Sequence, residues 1–107
     1  MTLSQRKQPV QPEATPNQPL RFRHYIADKS PNSVRAVANL KALCAQYLDD
    51  HCTIETIDVY EQPEAALDDE VYVCPTLLKL APLPQLKIIG DLSDTPKILD
   101  SLGLRKY

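Results

Sequence analysis

Glycine is almost missing from this chain, which carries only Gly90 and Gly103 among its 107 residues. A glycine-rich loop that cradles phosphates therefore has nothing to be built from. Basic excess is missing too: 12 Lys and Arg against 14 Asp and Glu leave a formal charge of -2, without the surplus or stripe a nucleic-acid binder normally shows. The cysteines are three, an odd number without framework spacing. That suits a reducing cytoplasm better than a secreted disulfide scaffold. The N-terminus has no apolar signal core, and no run approaches the ~18 apolar residues of a membrane span. These absences predict a soluble cytoplasmic protein with neither a nucleic-acid nor a membrane partner.

What is present is proline, ten in all, unevenly spread. Residues 1–19 hold Pro9, Pro12, Pro16 and Pro19 among glutamines and almost no large apolar side chain. Such a stretch cannot repay its ordering entropy, so it is expected to be a disordered extension. Residues 20–107, rich enough in apolar side chains for one core, are expected to form a single domain.

That domain is organised around Cys74-Pro75-Thr76 through Gly90-Asp91. Two short apolar runs flank a turn carrying Pro82 and Pro84, which reads as a hairpin. Pro75 fixes its own φ and pushes Cys74 out of the helical region, so no helix crosses this boundary. Upstream, Leu20, Phe22, His24 and Ile26 alternate with Arg21, Arg23 and Tyr25, predicting a first strand with His24 on its apolar face as a satisfied core residue. Ser30 as N-cap and Pro31 at the first position open a helix to about Leu48, with Ala36, Val37, Leu40, Leu43, Cys44 and Tyr47 on its apolar stripe. Thr53 to Tyr60 is β-branched with apolar side chains on both faces, which suggests an internal strand. Pro63 and Glu64 start a short acidic helix, and Ser93 or Asp94 caps a last one ending near Gly103. The order is βαβαββα, that of a thioredoxin-like α/β fold, with Pro75 at the start of the third strand.

A thioredoxin-like oxidoreductase needs a low-pKa thiolate at the start of the first helix, where the helix dipole stabilises it. Here that place reads Asp28-Lys29-Ser30-Pro31-Asn32-Ser33, with no cysteine. Cys74 falls beside this loop but lacks a resolving partner. Cys44, His51 and Cys52 have no paired metal-ligand spacing, so no metal is expected. No catalytic constellation and no cofactor-binding motif emerges, and the chain is not expected to be an enzyme.

Several segments, in register and without gaps, do resemble one family. They are Ser30-Pro31-Asn32-Ser33-Val34-Arg35-Ala36, Ile57-Asp58-Val59, Pro75-Thr76-Leu77, Pro82-Leu83-Pro84 and Ile88-Ile89-Gly90-Asp91-Leu92-Ser93-Asp94. Together they closely resemble KaiB of the cyanobacterial circadian clock. The N-terminal half of the SasA sensor kinase is a more distant likeness. The resemblance implies a non-enzymatic timing protein that binds the hexameric ATPase KaiC. It also implies a monomer–tetramer equilibrium coupled to a switch between a thioredoxin-like fold and a ground-state fold, which share the first βαβ half and differ after it. The residues implied to contact KaiC are Arg35, Lys79 and Lys87. Pro75, Pro82 and Pro84 become candidates for slow steps in such a switch.

The departures are informative. Asp28-Lys29 stands where the clock proteins have glycine and asparagine, and Glu55 replaces a lysine associated with KaiA. Binding of KaiA or of a sensor kinase is thereby put in doubt, and a divergent KaiB paralogue is indicated. The sequence ends at Lys106-Tyr107 without the family's acidic tail. Ser101 replaces a helical glycine, which removes roughly 0.5 kcal/mol of helix penalty and favours the thioredoxin-like packing, while Gly103 offsets this unless it is the cap. Two other readings remain: a thiol protein using Cys74, and a stress-related or chaperone-like KaiB relative outside rhythm control.

Overall fold

In a computed structural model that describes residues 19–49 and 51–104, β1 (Leu20–Ile26) is the strand on which the other elements are laid. α1 (Pro31–Tyr47) leads from it to β2 (Cys52–Asp58), and α2 (Pro63–Asp68) leads on to β3 (Thr76–Ala81). β4 (Leu86–Ile89) and α3 (Thr95–Ser101) complete the expected βαβαββα order. The segment expected to be a disordered extension lies, apart from Pro19, outside the described residues.

The sheet runs β2-β1-β3-β4. β1 and β2 are parallel, Leu20 opposite Cys52 through Ile26 opposite Asp58, whereas β3 is antiparallel to both β1 and β4. The apolar residues on both faces of β2 suggested an internal strand, yet β2 is an edge and the half-polar β1 is internal. Ile54 serves the core on one face and Ile57 the core on the other, while Thr53 and Glu55 stay exposed.

Two cores explain the helices. On one face, Leu20, Phe22 and Leu77 pack with Ala36, Leu40 and Leu43 of α1 and with Ile98 of α3. On the other, Tyr25, Ile57 and Leu78 pack with Ala66 of α2 and Val71. Tyr25, placed by alternation beside the arginines, is therefore wholly buried, because α2 covers that side of the sheet. His24 is buried as expected but not satisfied: among the described residues its Nε2 has no hydrogen-bond partner, and burial pushes its pKa down to about 4.

The helix ends follow local chemistry. The Ser30 hydroxyl accepts from the Ser33 N–H at 3.3 Å, and the Asp94 carboxylate accepts from the Lys97 N–H at the start of α3. At the other end of α3, the Gly103 N–H donates to the Asp100 carbonyl and the Leu104 N–H to the Leu99 carbonyl. With Gly103 at φ +75°, this is a Schellman motif, so Gly103 is a cap and costs the helix nothing. The Cys74–Pro75, Ala81–Pro82 and Leu83–Pro84 peptides are cis, and Leu83 projects at the exposed tip of the hairpin.

Candidate functional site

The first place to test for chemistry is the start of α1, facing the Cys74-Pro75 corner. Asp28 turns the chain at φ +49°, and Ser33, fully buried, accepts the Ala27 N–H on its hydroxyl at 2.9 Å. Hydroxyls thus close a loop where a redox protein would present a thiolate. Burial pushes the Cys74 thiol up, and the charge of Asp58 adds to the shift. A nucleophilic thiol requires the opposite shift.

The implied cations fall in three different settings. Arg35 stands in the second turn of α1 and is largely exposed; its Nε donates to Asp91 Oδ2 at 3.2 Å, and its guanidinium also bonds Asn32. Asn39 donates to the Asp91 carbonyl at 2.8 Å, and the other oxygen of Asp91 accepts the Ser93 N–H. The Ser93 contact and then Arg35 hold the Asp91 carboxyl below its ordinary range. Arg35 thereby ties α1 to the loop between β4 and α3.

Lys79 lies opposite Phe22 and Leu86, on the face of the sheet covered by α1 and α3. It is only 5% exposed, burial lowers its pKa, and among the described residues no carboxylate pairs with it. Lys87 lies opposite Leu78 and so faces the other way, where its Nζ donates to the Glu70 carbonyl at 2.7 Å. The three cations are not gathered on one face, and Arg35 and Lys87 are the two presented to solvent.

A fourth cluster escaped the sequence reading. Asp69, just past α2, accepts the Tyr25 hydroxyl at 2.5 Å and Arg23 Nη1 at 2.9 Å, while Arg23 Nε donates to Glu55 at 3.0 Å. The two donors hold the Asp69 carboxyl below its ordinary range against the opposing effect of burial, with Lys87 adding to the pull. The network joins β1, β2 and the end of α2. Its one sequence signal was the Arg23-x-Tyr25 spacing, which puts both side chains on the same face of β1. The groove beside it, about 630 Å³, runs from Asp69 and Glu70 to Arg21, Leu80 and Lys87.

This architecture, a central four-stranded sheet with a cis-proline corner and no thiolate at the start of α1, defines a thioredoxin-like protein without the redox motif. The N-terminal domain of SasA from Synechococcus elongatus superposes with a TM-score of 0.68 at 21% identity, covering 94% of this chain and 96% of that one. The Fasciola hepatica thioredoxin gives 0.64 at 16%, covering 85% of each. Those likenesses establish the fold.

The family is established by sequence: the KaiB domain model matches residues 23–104, and the chain belongs to the KaiB family. It is 45% identical to the circadian clock protein KaiB3 of Synechocystis sp. over 83 residues, 78% of this chain and 79% of that protein. It is 44% identical to the circadian clock oscillator protein KaiB of Gloeothece citriformis over 80 residues, 75% of this chain and 76% of that protein. Identity to KaiB1 of Synechocystis sp. is also 44% over 80 residues, with the same coverage. These relatives are named as circadian clock proteins.

Proposed function

We propose that the protein is a cytoplasmic, non-enzymatic regulator that binds a KaiC-type hexameric ATPase and modulates its cycle. The observation that carries this reading is the family match over residues 23–104. Arg35 is the cation best placed for such a contact, since it is exposed and fixed in position by Asp91. Lys87 reaches solvent on the opposite face, and Lys79 is the least presented of the three.

The chain is a divergent paralogue in this proposal. Identity to KaiB3 and to KaiB1 differs by one percentage point, so the assignment rests on Asp28-Lys29 and Glu55. Glu55 is committed to Arg23 at the exposed β2 edge, an acid where KaiA binding is associated with a lysine. Glu55 accordingly disfavours binding of KaiA or a sensor kinase.

The proposal includes a second packing of the C-terminal half and self-association of the chain, with Pro75, Pro82 and Pro84 within the rearranging half. The features that favour the thioredoxin-like packing are the Arg35–Asp91 contact and the capped end of α3. The thiol reading is disfavoured by the raised pKa of Cys74.

Incubation with KaiC-type ATPases in the presence of ATP, followed by size exclusion, tests the proposal. Co-elution with at least one is expected; failure to shift with any, divergent paralogues included, overturns it.

A further inference from the structure

The α2 side of the molecule carries a second surface that KaiC binding through Arg35 does not use. Tyr60, Leu67, Tyr72 and Val73 are 74, 62, 75 and 51% exposed, and they surround a groove of about 480 Å³ floored by Ala66, Val71 and Cys74. Large apolar side chains gathered in this way on a small domain mark an interaction site. The segment that carries them bears charge of one sign. Between Asp58 and Val73 the chain places six of its 14 acids, at Asp58, Glu61, Glu64, Asp68, Asp69 and Glu70, and none of its 12 Lys and Arg.

Only Asp69 has its charge consumed by an internal ion pair among the described residues. Asp58 accepts the Tyr60 N–H, while Glu61, Glu64, Asp68 and Glu70 stand exposed on or next to α2. Asp58, Glu61 and Glu64 adjoin the lining residues Val59, Tyr60 and Pro63 in sequence, so this apolar groove is flanked by acids, whereas Asp68, Asp69 and Glu70 line the separate groove beside Arg23 and Lys87. Such a rim repels acidic partners and steers basic ones.

We propose that this groove docks a basic amphipathic segment of a partner protein, aliphatic anchors at helical spacing entering between Tyr60, Leu67 and Tyr72 while its Lys and Arg meet Glu61 and Glu64. The mode is a helix in a groove, with apolar anchors for affinity and charges for orientation and rate. Because the surface lies on the α2 side of the sheet, it can be occupied while α1 and Arg35 engage another partner.

The test uses the full chain and a fluorescein-labelled peptide of about 18 residues, with leucines at i, i+3, i+4 and i+7 and lysines elsewhere, beside its glutamate counterpart. Anisotropy should show micromolar binding of the lysine peptide and none of the glutamate peptide. Amide shift changes should be confined to residues 58–74. Leu67→Gln, and separately Glu61→Lys with Glu64→Lys, should each weaken binding about tenfold or more while unfolding temperature holds. All of these positions are exposed, so the fold should survive.

Four results of these measurements would overturn the proposal directly, and two more would reassign the occupant. The four are absence of binding, equal binding of both peptides, shifts centred elsewhere, and variants that bind like the parent. If the peptide binds only after residues 2–18 are deleted, the occupant is the chain's own segment carrying Arg6 and Lys7, and the partner reading falls. If Leu67→Gln instead abolishes self-association in sedimentation, the occupant is a second copy, with the same consequence.

Discussion

Arg35 Nε lies 3.2 Å from Asp91 Oδ2, bridging α1 to the loop between β4 and α3 across 56 residues of sequence. The bridge gives Arg35 two roles that can be separated. As a fold contact it needs Asp91, whereas as a partner contact it needs only its own charge. Arg35→Glu should weaken a complex with a KaiC-type ATPase about tenfold. Asp91→Asn, which removes the opposing charge but keeps the Arg35 charge, should bind at least as well as the parent. Interferometry on both variants decides the matter: equal losses would mean that Arg35 acts through the loop.

Asp69 holds α2 against the sheet by accepting from both Tyr25 and Arg23. Asp69→Ala leaves the buried Tyr25 hydroxyl with only the Ala65 carbonyl, 2.9 Å away, and leaves Arg23 with Glu55 alone. Losing a charge-assisted partner at a half-buried site costs about 1–2 kcal/mol. Urea denaturation should show a lower midpoint with an unchanged slope. Tyr25→Phe should cost about 1 kcal/mol and add little on top of Asp69→Ala, because the two residues share one bond.

His24 makes stability depend on pH in a defined window. Its folded pKa is near 4 against an ordinary 6.5, so between those values the unfolded chain binds a proton that the folded chain refuses. The stability at stake is full above pH 6.5, declines as the pH falls, and has been lost by pH 4, about 3 kcal/mol for the whole shift. Asp69, whose pKa is lowered, gives up its own contribution only further down, below the ordinary carboxylate range. Urea midpoints at pH 7.0, 5.5 and 4.5 should fall steadily in the parent. In His24→Leu the decline between 6.5 and 4 should flatten.

How much of this was legible in sequence depended on whether a signal was local. Ser30-Pro31, Pro63-Glu64 and the Ser93-Asp94 pair placed the three helix starts to within a residue, because caps and prolines act within one turn, and Asp94 is the cap. The edge position of β2 was not legible: Ile54 and Ile57 read the same whether a strand is internal or is an edge covered by two helices. Tyr25 and Asp69 were missed since their contact spans 44 residues and exists only once α2 has folded over the sheet. Lys79 and Lys87, eight positions apart, were taken together, and strand parity puts them on opposite faces.

Cys74 should behave as an unactivated, half-buried thiol. Burial and Asp58 raise its pKa, so at pH 7 its thiolate is scarcer than in free cysteine. Iodoacetamide labelling followed by peptide mapping should show Cys74 reacting several-fold more slowly than glutathione. Insulin reduction should be absent in the parent and unchanged in Cys74→Ala. Rapid labelling at neutral pH would reopen the thiol reading.

The end of α3 bears on which packing the C-terminal half adopts. Ser101 is the last residue of the helix, its hydroxyl donating to the Lys97 carbonyl at 3.0 Å, and Gly103 caps the helix in the left-handed region at φ +75°. Ser101→Gly gives the unfolded and rearranged chain more freedom and costs the helix roughly 0.5–1 kcal/mol. Gly103→Ala forces a side chain into a conformation that L-residues avoid, at a cost of about 1 kcal/mol. No atom lies within 4 Å of the added Cβ, so any loss arises from the backbone rather than from a clash. If two packings compete, each substitution should lower the ratio of thioredoxin-like to rearranged chain about two- to fivefold, the factor that 0.5–1 kcal/mol represents. Carbon chemical shifts of residues 95–101 should then move away from helical values while those of α1 hold. A uniform loss of stability across both helices, with no second set of signals, would mean that the C-terminal half has a single packing.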